Sequence, residues 1–385
     1  MAKYKLGDIA PIQQGSVPES ESYWLLNLDM VESNTGHIYE RLYVPFDKIG
    51  TSTIAFDTNN VLYSKLRPYL NKVVIPDCPG YATSEMLPLK PNKNYITREY
   101  LTYFLRSPKF VAYINEKTSG AKMPRANSSD LKSVEIECPT LENQRHITSE
   151  FDRIISIVRL RQQQLQKLDE LVKARFVELF GDLANPSCLW ETIKLADACA
   201  SADDIKCGPF GTQLGKGEYV DSGVAVWEIP QINAAFKACP THFITEEKAT
   251  QLKAYSLVPG DIAMSRKGNV GRCAIFPDEY VDGIIHSDVL RIRVNEQKVN
   301  PVFMMYQLHF SNAVINQIEM VSSGAIMAGV NVTKLKQIYV HIPPKKLQDQ
   351  FVSFVKQTDK SKVAIQKALD EVRLLFDSLM QQYFS

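Results

Sequence analysis

The sequence predicts a mixed α/β (α+β) protein built as two similar globular domains carried on two long helices that pair with each other. Three observations predict it. The chain aligns with itself in a constant order, each copy closes on a long apolar stripe of helical spacing, and short β-type runs alternate with helical patterns within each copy.

The repeat comes first because it sets the domain organisation. Lys5-Leu6-Gly7-Asp8 returns as Lys194-Leu195-Ala196-Asp197, and Asn60-Val61-Leu62-Tyr63-Ser64-Lys65 returns as Asp261-Ile262-Ala263-Met264-Ser265-Arg266. Gly80 to Leu87 meets Gly283 to Leu290, Thr118 to Met123 meets Ser322 to Met327, and Asn127 with Leu131 meets Asn331 with Leu335. The offset drifts from 189 to 204, as insertions in loops produce. Each copy is therefore one globular unit. Val73-Val74-Ile75 and Leu290 to Val294 read as strands within them, and Arg98 to Asn115 and Pro301 to Met320 as helical stretches.

Both copies end alike, with a strand-like run (Val134-Glu135-Ile136; Ile338-Tyr339-Val340), then proline, then the long stripe. In the first helix Ile147, Phe151, Ile154, Val158, Leu165, Leu168, Val172, Phe176 and Leu179 recur at steps of three and four, broken once at Arg161/Gln162. In the second the seam is Phe351, Phe354, Thr358, Ile365, Leu369, Val372, Phe376, Leu379 and Tyr383, broken at Ser361/Lys362. Neither segment contains proline or glycine. Thr140 can cap the first helix with Glu142 in its opening turn, and Phe180-Gly181-Asp182 supplies a glycine stop. At about 1.5 Å per residue each helix spans on the order of 55–60 Å, and a spacing near 3.5 suits a coiled coil. Two matching stripes in one chain satisfy each other, in a parallel or an antiparallel pair. Asn185-Pro186-Ser187 punctuates the step into the second copy.

Composition narrows the function. The chain has 385 residues, 45% hydrophobic and 23% charged, enough for more than one core. A formal charge of +1 gives no whole-molecule field toward nucleic acid or anionic lipid, so any such binding rests on local patches. The opening residues lack the apolar core of a signal peptide, and no stretch approaches the roughly 18 apolar residues of a membrane span. Seven cysteines without a C-x-x-C pair argue against a disulfide framework and a zinc site, and together these features predict a cytoplasmic protein without a membrane partner.

Catalytic signatures are weak. Gly208 to Gly217 superficially resembles a phosphate loop, but three residues, not four, separate Gly211 from Gly215 and glycine follows Lys216, so ATP is not expected there. A basic, glycine-rich loop that approaches a nucleic-acid backbone fits better. The six histidines show neither metal spacing nor a nucleophile elbow. Asp278 with Glu296-Gln297-Lys298 matches a loose metal-nuclease pattern that the first copy does not repeat. It leaves a stand-alone metal-dependent nuclease as an alternative reading, and a coiled-coil adaptor without DNA contact as another.

What remains is a set of basic and amide-rich clusters in loops. They are Lys65, Arg67, Tyr69 and Lys72; Lys122, Arg125 and Asn127; Lys206 with Thr212, Gln213 and Lys216; Arg266, Lys267, Asn269 and Arg272; and Asn331 with Lys334. Lys and Arg neutralise phosphates, while Arg, Asn and Gln bond two atoms of a base edge. Against the reading as ordinary solvated surface, Lys65 coincides with Arg266 in the repeat, and Asn127 with Asn331.

Leu141-Glu142-Asn143-Gln144-Arg145, leading through Leu168 to Phe176 and Phe180-Gly181-Asp182, resembles the central helical region of the specificity subunit of type I restriction-modification enzymes. Ile342-Pro343-Pro344, Leu347-Gln348-Asp349-Gln350 and Leu379 to Phe384 resemble its distal helical region, and Gly208 to Leu214, Gly260-Asp261-Ile262 and Gly268 to Arg272 resemble segments of its target-recognition domains. The resemblance implies residues 1–140 as the first target-recognition domain, 141–182 as the central helix, 183–343 as the second domain and 344–385 as the distal helix. It also implies that the helices pack as an antiparallel coiled coil, a spacer between two readers of a two-part double-stranded DNA target. The family implies two modification subunits that bind S-adenosylmethionine and methylate adenine, and ATP-driven restriction (translocase) subunits, as partners. This chain is then expected to be non-catalytic and to bind no cofactor or metal itself, with S-adenosylmethionine, ATP and magnesium on the partner subunits. The first domain has Gln13 to Pro18 where the second has its glycine-rich loop, so equivalent contacts are not implied there.

Overall fold

The structure is a computed structural model that describes residues 2–118, 120, 122–181, 183, 190–280, 282–323 and 329–384. The chain divides into two compact units, Met1–Gln163 with Ile365–Ser385, and Gln164–Ala364. The proposed linker Asn185-Pro186-Ser187, and Gly324 to Met327 of the repeat, lie outside the described residues.

In the first unit a four-stranded sheet runs in the order Leu42–Val44, Tyr23–Leu26, Gly80–Thr83, Thr53–Phe56, with Tyr23–Leu26 parallel to Gly80–Thr83 and the other pairs antiparallel. A three-stranded sheet orders Val73–Val74, Val61–Ser64, Met86–Leu89. The second unit repeats this plan. Its four-stranded sheet orders His242–Ile244, Val224–Trp227, Gly283–Ile285, Ser256–Leu257, again with one parallel pair, Val224–Trp227 with Gly283–Ile285. The sheet Cys273–Ile275, Ile262–Ser265, Val289–Ile292 gains a fourth strand, Ile205–Cys207. The alignment of the sequence with itself is thus an alignment of two folds.

The cores match as well. Trp24 packs edge-on to Phe56 and Trp227 to Phe276, all fully buried. Gly80 and Gly283 are glycines because the tryptophan-bearing strand runs too close for a side chain. A Cβ on Gly80 would stand 2.5 Å from the Trp24 carbonyl, and one on Gly283 would stand 2.1 Å from Trp227 Nε1.

The two helical stretches of each unit are broken where the sequence pattern ran on. Arg98–Arg106 and Pro108–Glu116 part at Ser107, whose hydroxyl accepts the Phe110 N–H at 3.3 Å as Pro108 starts the next helix without a donor. Pro301–Phe310 and Asn312–Val321 part at the buried Ser311.

The long stripes form single helices, Leu141–Phe180 and Lys345–Phe384. The Asn143 N–H donates to Thr140 Oγ1 at 3.3 Å at the start of the first helix, and Gly181 ends it at φ +73° with its N–H on the Val177 carbonyl. Each helix contributes to both units. In the first unit Phe151 and Ile154 are buried, and Phe151 meets Phe376, Tyr383 and Phe384 with ring centroids 5.3, 6.1 and 6.0 Å apart. In the second Phe176 packs on Phe351 at 5.4 Å, and the Lys362 ammonium stands 2.6 Å from Asp169. From Asp169 to Phe176 the partner residue number falls, so the helices pack antiparallel in this unit. Val172, Phe176, Phe351 and Leu369 are buried, whereas Val158, Leu165, Leu168, Leu179, Phe354, Ile365, Val372, Phe376 and Leu379 are half-buried.

Among the described residues, no helix is long and apolar enough to cross a membrane.

Candidate nucleic-acid interface

In each unit the fold brings two of the sequence-selected clusters together by the same backbone pattern. In the first, Lys65 follows the strand Val61–Ser64, its N–H on the Glu85 carbonyl and its own carbonyl receiving the Ala126 N–H at 2.8 Å. The Arg67 N–H donates to Pro124, so the segment from Lys65 to Lys72 lies beside Lys122, Arg125 and Asn127. In the second, Arg266 follows Ile262–Ser265, its N–H on the Asp288 carbonyl and its carbonyl receiving the Val330 N–H at 3.0 Å. Lys267 bridges Gly329, and Asn331 and Lys334 follow. The two loops are one structural device used twice.

The side chains divide into held and free. Arg125 forks onto Glu85 with three N–H···O contacts of 3.0 to 3.2 Å, and that hydrogen bonding raises its pKa. Lys267 stands 2.7 Å from Asp288. Glu85 and Asp288 occupy the same position of the repeat, so each unit anchors its loop through one acid and one base. Arg266 donates to the carbonyls of Val330 and Ser287 and lies 5.5 Å from the Phe210 ring, which ties the 208–217 segment to this loop. Lys72 donates to the Leu28 carbonyl at 2.7 Å. Lys206 lies within the strand Ile205–Cys207, not in a loop, 5.5 Å from the Tyr255 ring, and Gln213 accepts the Tyr255 hydroxyl at 3.0 Å. Asn127 donates to Asp130, and Asn331 caps the turn Val332–Leu335 by accepting the Lys334 N–H. Lys65 is half-buried. Arg67, Tyr69, Lys122, Thr212, Lys216, Asn269, Arg272 and Lys334 present exposed side chains.

The glycines of the 208–217 segment serve more than one purpose. A Cβ on Gly208 would meet the Ile285 and His286 carbonyls at 2.3 Å, so this glycine is required by packing against a strand, while Gly211 and Gly217 face open space. Among the described residues no group of three or more His, Cys, Asp or Glu side chains is placed to hold a metal ion, and Asp278 and Glu296 are both exposed.

A cavity of about 650 Å³ borders the Gly268–Arg272 loop, lined also by His309, Ile318 and Glu319. His309 Nε2 accepts the Cys273 N–H at 2.8 Å, so its proton sits on Nδ1, and burial, aided by Arg272, lowers its pKa to about 4. It is a structural acceptor that orients the loop.

Reading the sequence missed the anchoring acids Glu85 and Asp288. The signal was present, since both fall in the aligned stretches Gly80 to Leu87 and Gly283 to Leu290, each directly before a strand, Met86–Leu89 and Val289–Ile292. It also passed over Tyr39, Tyr43 and Phe46, exposed at 63%, 52% and 64%, which lie in or beside the edge strand Leu42–Val44.

Comparison with known proteins finds the same duplication. The family model for the type I restriction modification DNA specificity domain matches residues 1–170 and again 189–372. The putative type I restriction enzyme MjaX specificity subunit of Methanocaldococcus jannaschii is 23% identical over 316 residues, covering 74% of this chain and 69% of that protein. The StySPI specificity subunit of Salmonella potsdam is 21% identical, covering 77% and 66%, and the EcoDI specificity subunit of Escherichia coli 24% identical, covering 40% and 35%. The chain thus spans 35% to 69% of the lengths of these relatives. A chain from a structure of a type I R-M system shares the fold at TM-score 0.64 and 16% identity, covering 100% of this chain and 97% of its own. The type I restriction-modification system S subunit from M. genitalium does so at 0.58 and 14%, covering 100% and 96%. Two matches to one domain model, each beginning where a copy of the repeat begins, leave one conclusion: the chain belongs to the specificity-subunit family of type I restriction-modification systems, whose domains recognise DNA.

Proposed function

We propose that this chain is the non-catalytic reader of a two-part DNA target, each unit contacting one half-site through its pair of basic loops. The observation that carries the reading is the duplicated loop device, in which Lys65 and Arg266, Glu85 and Asp288, and Asn127 and Asn331 recur at matching positions of matching folds. Two similar readers in one chain suit two similar tasks on one duplex. In this reading Arg67, Lys122, Arg272 and Lys334 serve phosphates, and Gln213 and Asn269 bond base edges. The paired long helices act as the spacer that sets the distance between half-sites.

The formal charge of +1 supports weak DNA binding by the isolated chain, with two modification subunits adding phosphate contacts as they assemble on it. Those subunits supply S-adenosylmethionine and adenine methylation, and the restriction subunits supply ATP-driven translocation with magnesium, all in the cytoplasm. Mapping methylated adenines in DNA from cells that carry the complex tests the reading. A two-part motif with a fixed gap is expected, and replacing residues 190–340 by a relative's is expected to change one half of it. Methylation without a two-part motif would overturn the proposal.

A further inference from the structure

One aromatic side chain stands out beside each loop device. In the second unit Gly208 and Pro209 are buried, and Phe210 emerges from them 52% exposed. Its segment is fixed at both ends. The Gly208 N–H donates to the Val289 carbonyl at 3.1 Å, and Leu214 is buried against Val226, Ile244 and Ile284. Between them the N–H groups of Gln213 and Leu214 converge on the Phe210 carbonyl, at 2.7 and 3.1 Å. The Arg266 guanidinium lies over the ring, 5.5 Å from its centroid. Arg266 Nε and Nη1 already donate to the carbonyls of Val330 and Ser287, so the arginine is a fixed support that leaves the rest of the ring open.

The first unit reaches the same arrangement from a different stretch of sequence. Pro68 is buried, and Tyr69, the next residue, is 52% exposed. The turn Pro68–Leu70 is flanked by left-handed residues, Arg67 at φ +47° and Asn71 at φ +52°. The Arg67 N–H donates to the Pro124 carbonyl at 2.7 Å, and the Asn71 side-chain amide to the Arg106 carbonyl at 3.1 Å. A left-handed arginine before proline is strained and persists only where its surroundings impose it. In each unit, therefore, a ring follows a buried proline and is carried on backbone that cannot fold it away.

The charges around the rings point to their ligand. Glu85, Asp288 and Glu218 are each paired with a base, Arg125, Lys267 and Lys248. Arg67 beside Tyr69, and Lys216 in the segment of Phe210, present exposed side chains. An open ring among exposed cations suits nucleic acid, which offers a base to the one and phosphates to the other.

We propose that Phe210 and Tyr69 are stacking wedges, each laying its open ring on a base of its half-site and loosening the base step there. The inference rests on the proposed function and deepens it: part of the discrimination comes from how readily the sequence at that step opens, beyond the bonds to base edges.

The test uses the chain assembled with its modification subunits and a duplex carrying the two-part motif. The fluorescent base 2-aminopurine, which brightens when unstacked, is placed in turn within and beside each half-site, away from the methylated adenines. Binding is expected to brighten a position in each half. Phe210→Ala is expected to abolish the signal in the half read by the second unit, and Tyr69→Ala in the other. Each is expected to weaken binding roughly five- to 150-fold, the worth of one base–aromatic stack. The slope of log K against log salt is expected to hold, since neither ring carries charge. Phe210→Tyr and Tyr69→Phe keep the rings and are expected to keep the signals. No brightening, brightening that survives the alanine variants, or its loss in Tyr69→Phe overturns the inference, and the proposed function stands if the same complexes methylate the two-part motif. An alanine variant that no longer assembles with the modification subunits marks the ring as a protein contact and also overturns it. Methylation without a two-part motif overturns both.

Discussion

Gln144 accepts the Thr97 N–H at 2.9 Å and donates to the carbonyls of Tyr95 and Pro139, at 2.8 and 3.0 Å, from a fully buried position in the first turn of its helix. Gln348 makes the equivalent set, accepting from Asn300 at 2.8 Å and donating to Lys298 and Pro343. Each long helix is thereby fastened to its globular unit by one amide with three bonds, at the point where chain direction turns from strand to helix.

Replacing either glutamine by leucine leaves buried backbone groups without partners. Gln144→Leu and Gln348→Leu are each expected to lower stability by on the order of 3 kcal/mol. Urea unfolding followed by hydrogen exchange checks this, with the loss concentrated in the unit that carries the substitution.

Gly283→Ala places a methyl group where Trp227 Nε1 stands, 2.1 Å from the ideal Cβ. The tryptophan is fully buried between Phe236, Phe276 and Tyr280 and has no room to withdraw. A loss of about 3 kcal/mol is expected, and Gly80→Ala is expected to act similarly through the Trp24 carbonyl. Thermal melting compared with Gly217→Ala, whose Cβ meets open space, isolates the packing effect.

Stability is expected to fall as pH drops below about 6.5. The folded state holds His309 neutral down to about 4, whereas the unfolded chain protonates it near 6.5, so acid favours unfolding between these values and adds nothing further below the lower one. The half-buried ring sets the effect on the order of 2 kcal/mol. Burial of His341 lowers its pKa and adds in the same direction. His309→Gln, which can still accept the Cys273 N–H, is expected to flatten the slope in denaturant titrations at pH 4 to 7.

Charge removal should separate held from free cations. In the assembled complex, Arg67→Ala, Arg272→Ala or Lys334→Ala is each expected to reduce the slope of log K against log salt by roughly one. Lys72→Met removes a cation whose ammonium is already spent on the Leu28 carbonyl, so the slope should hold while stability falls. Fluorescence anisotropy across a salt series reads both.

The architecture was legible in the sequence because duplication and a long apolar period are both one-dimensional signals. Lys5-Leu6 and Lys194-Leu195 mark the same strand-to-turn step, and Phe151 and Phe351 the same kind of buried ring. Strand order was not legible, because the parallel pairing of Tyr23–Leu26 with Gly80–Thr83 depends on contacts across more than fifty residues of chain. The clusters were legible as residue types only. Whether Arg125 faces solvent or grips Glu85, forty positions away, is decided by the return of the chain to a distant strand end, which spacing does not encode. For the same reason Lys267 and Arg272, five residues apart, differ in kind, one fixed to Asp288 and the other exposed.

The core that holds Phe151 is closed by Met380 and Phe384. A ribosome therefore finishes every other part of the first unit, and the whole of the second, before the piece that seals the first emerges. Until that turn is made, the rings of Tyr100 and Phe151 wait uncovered, and a chain broken off before Met380 carries its damage in the domain synthesised first.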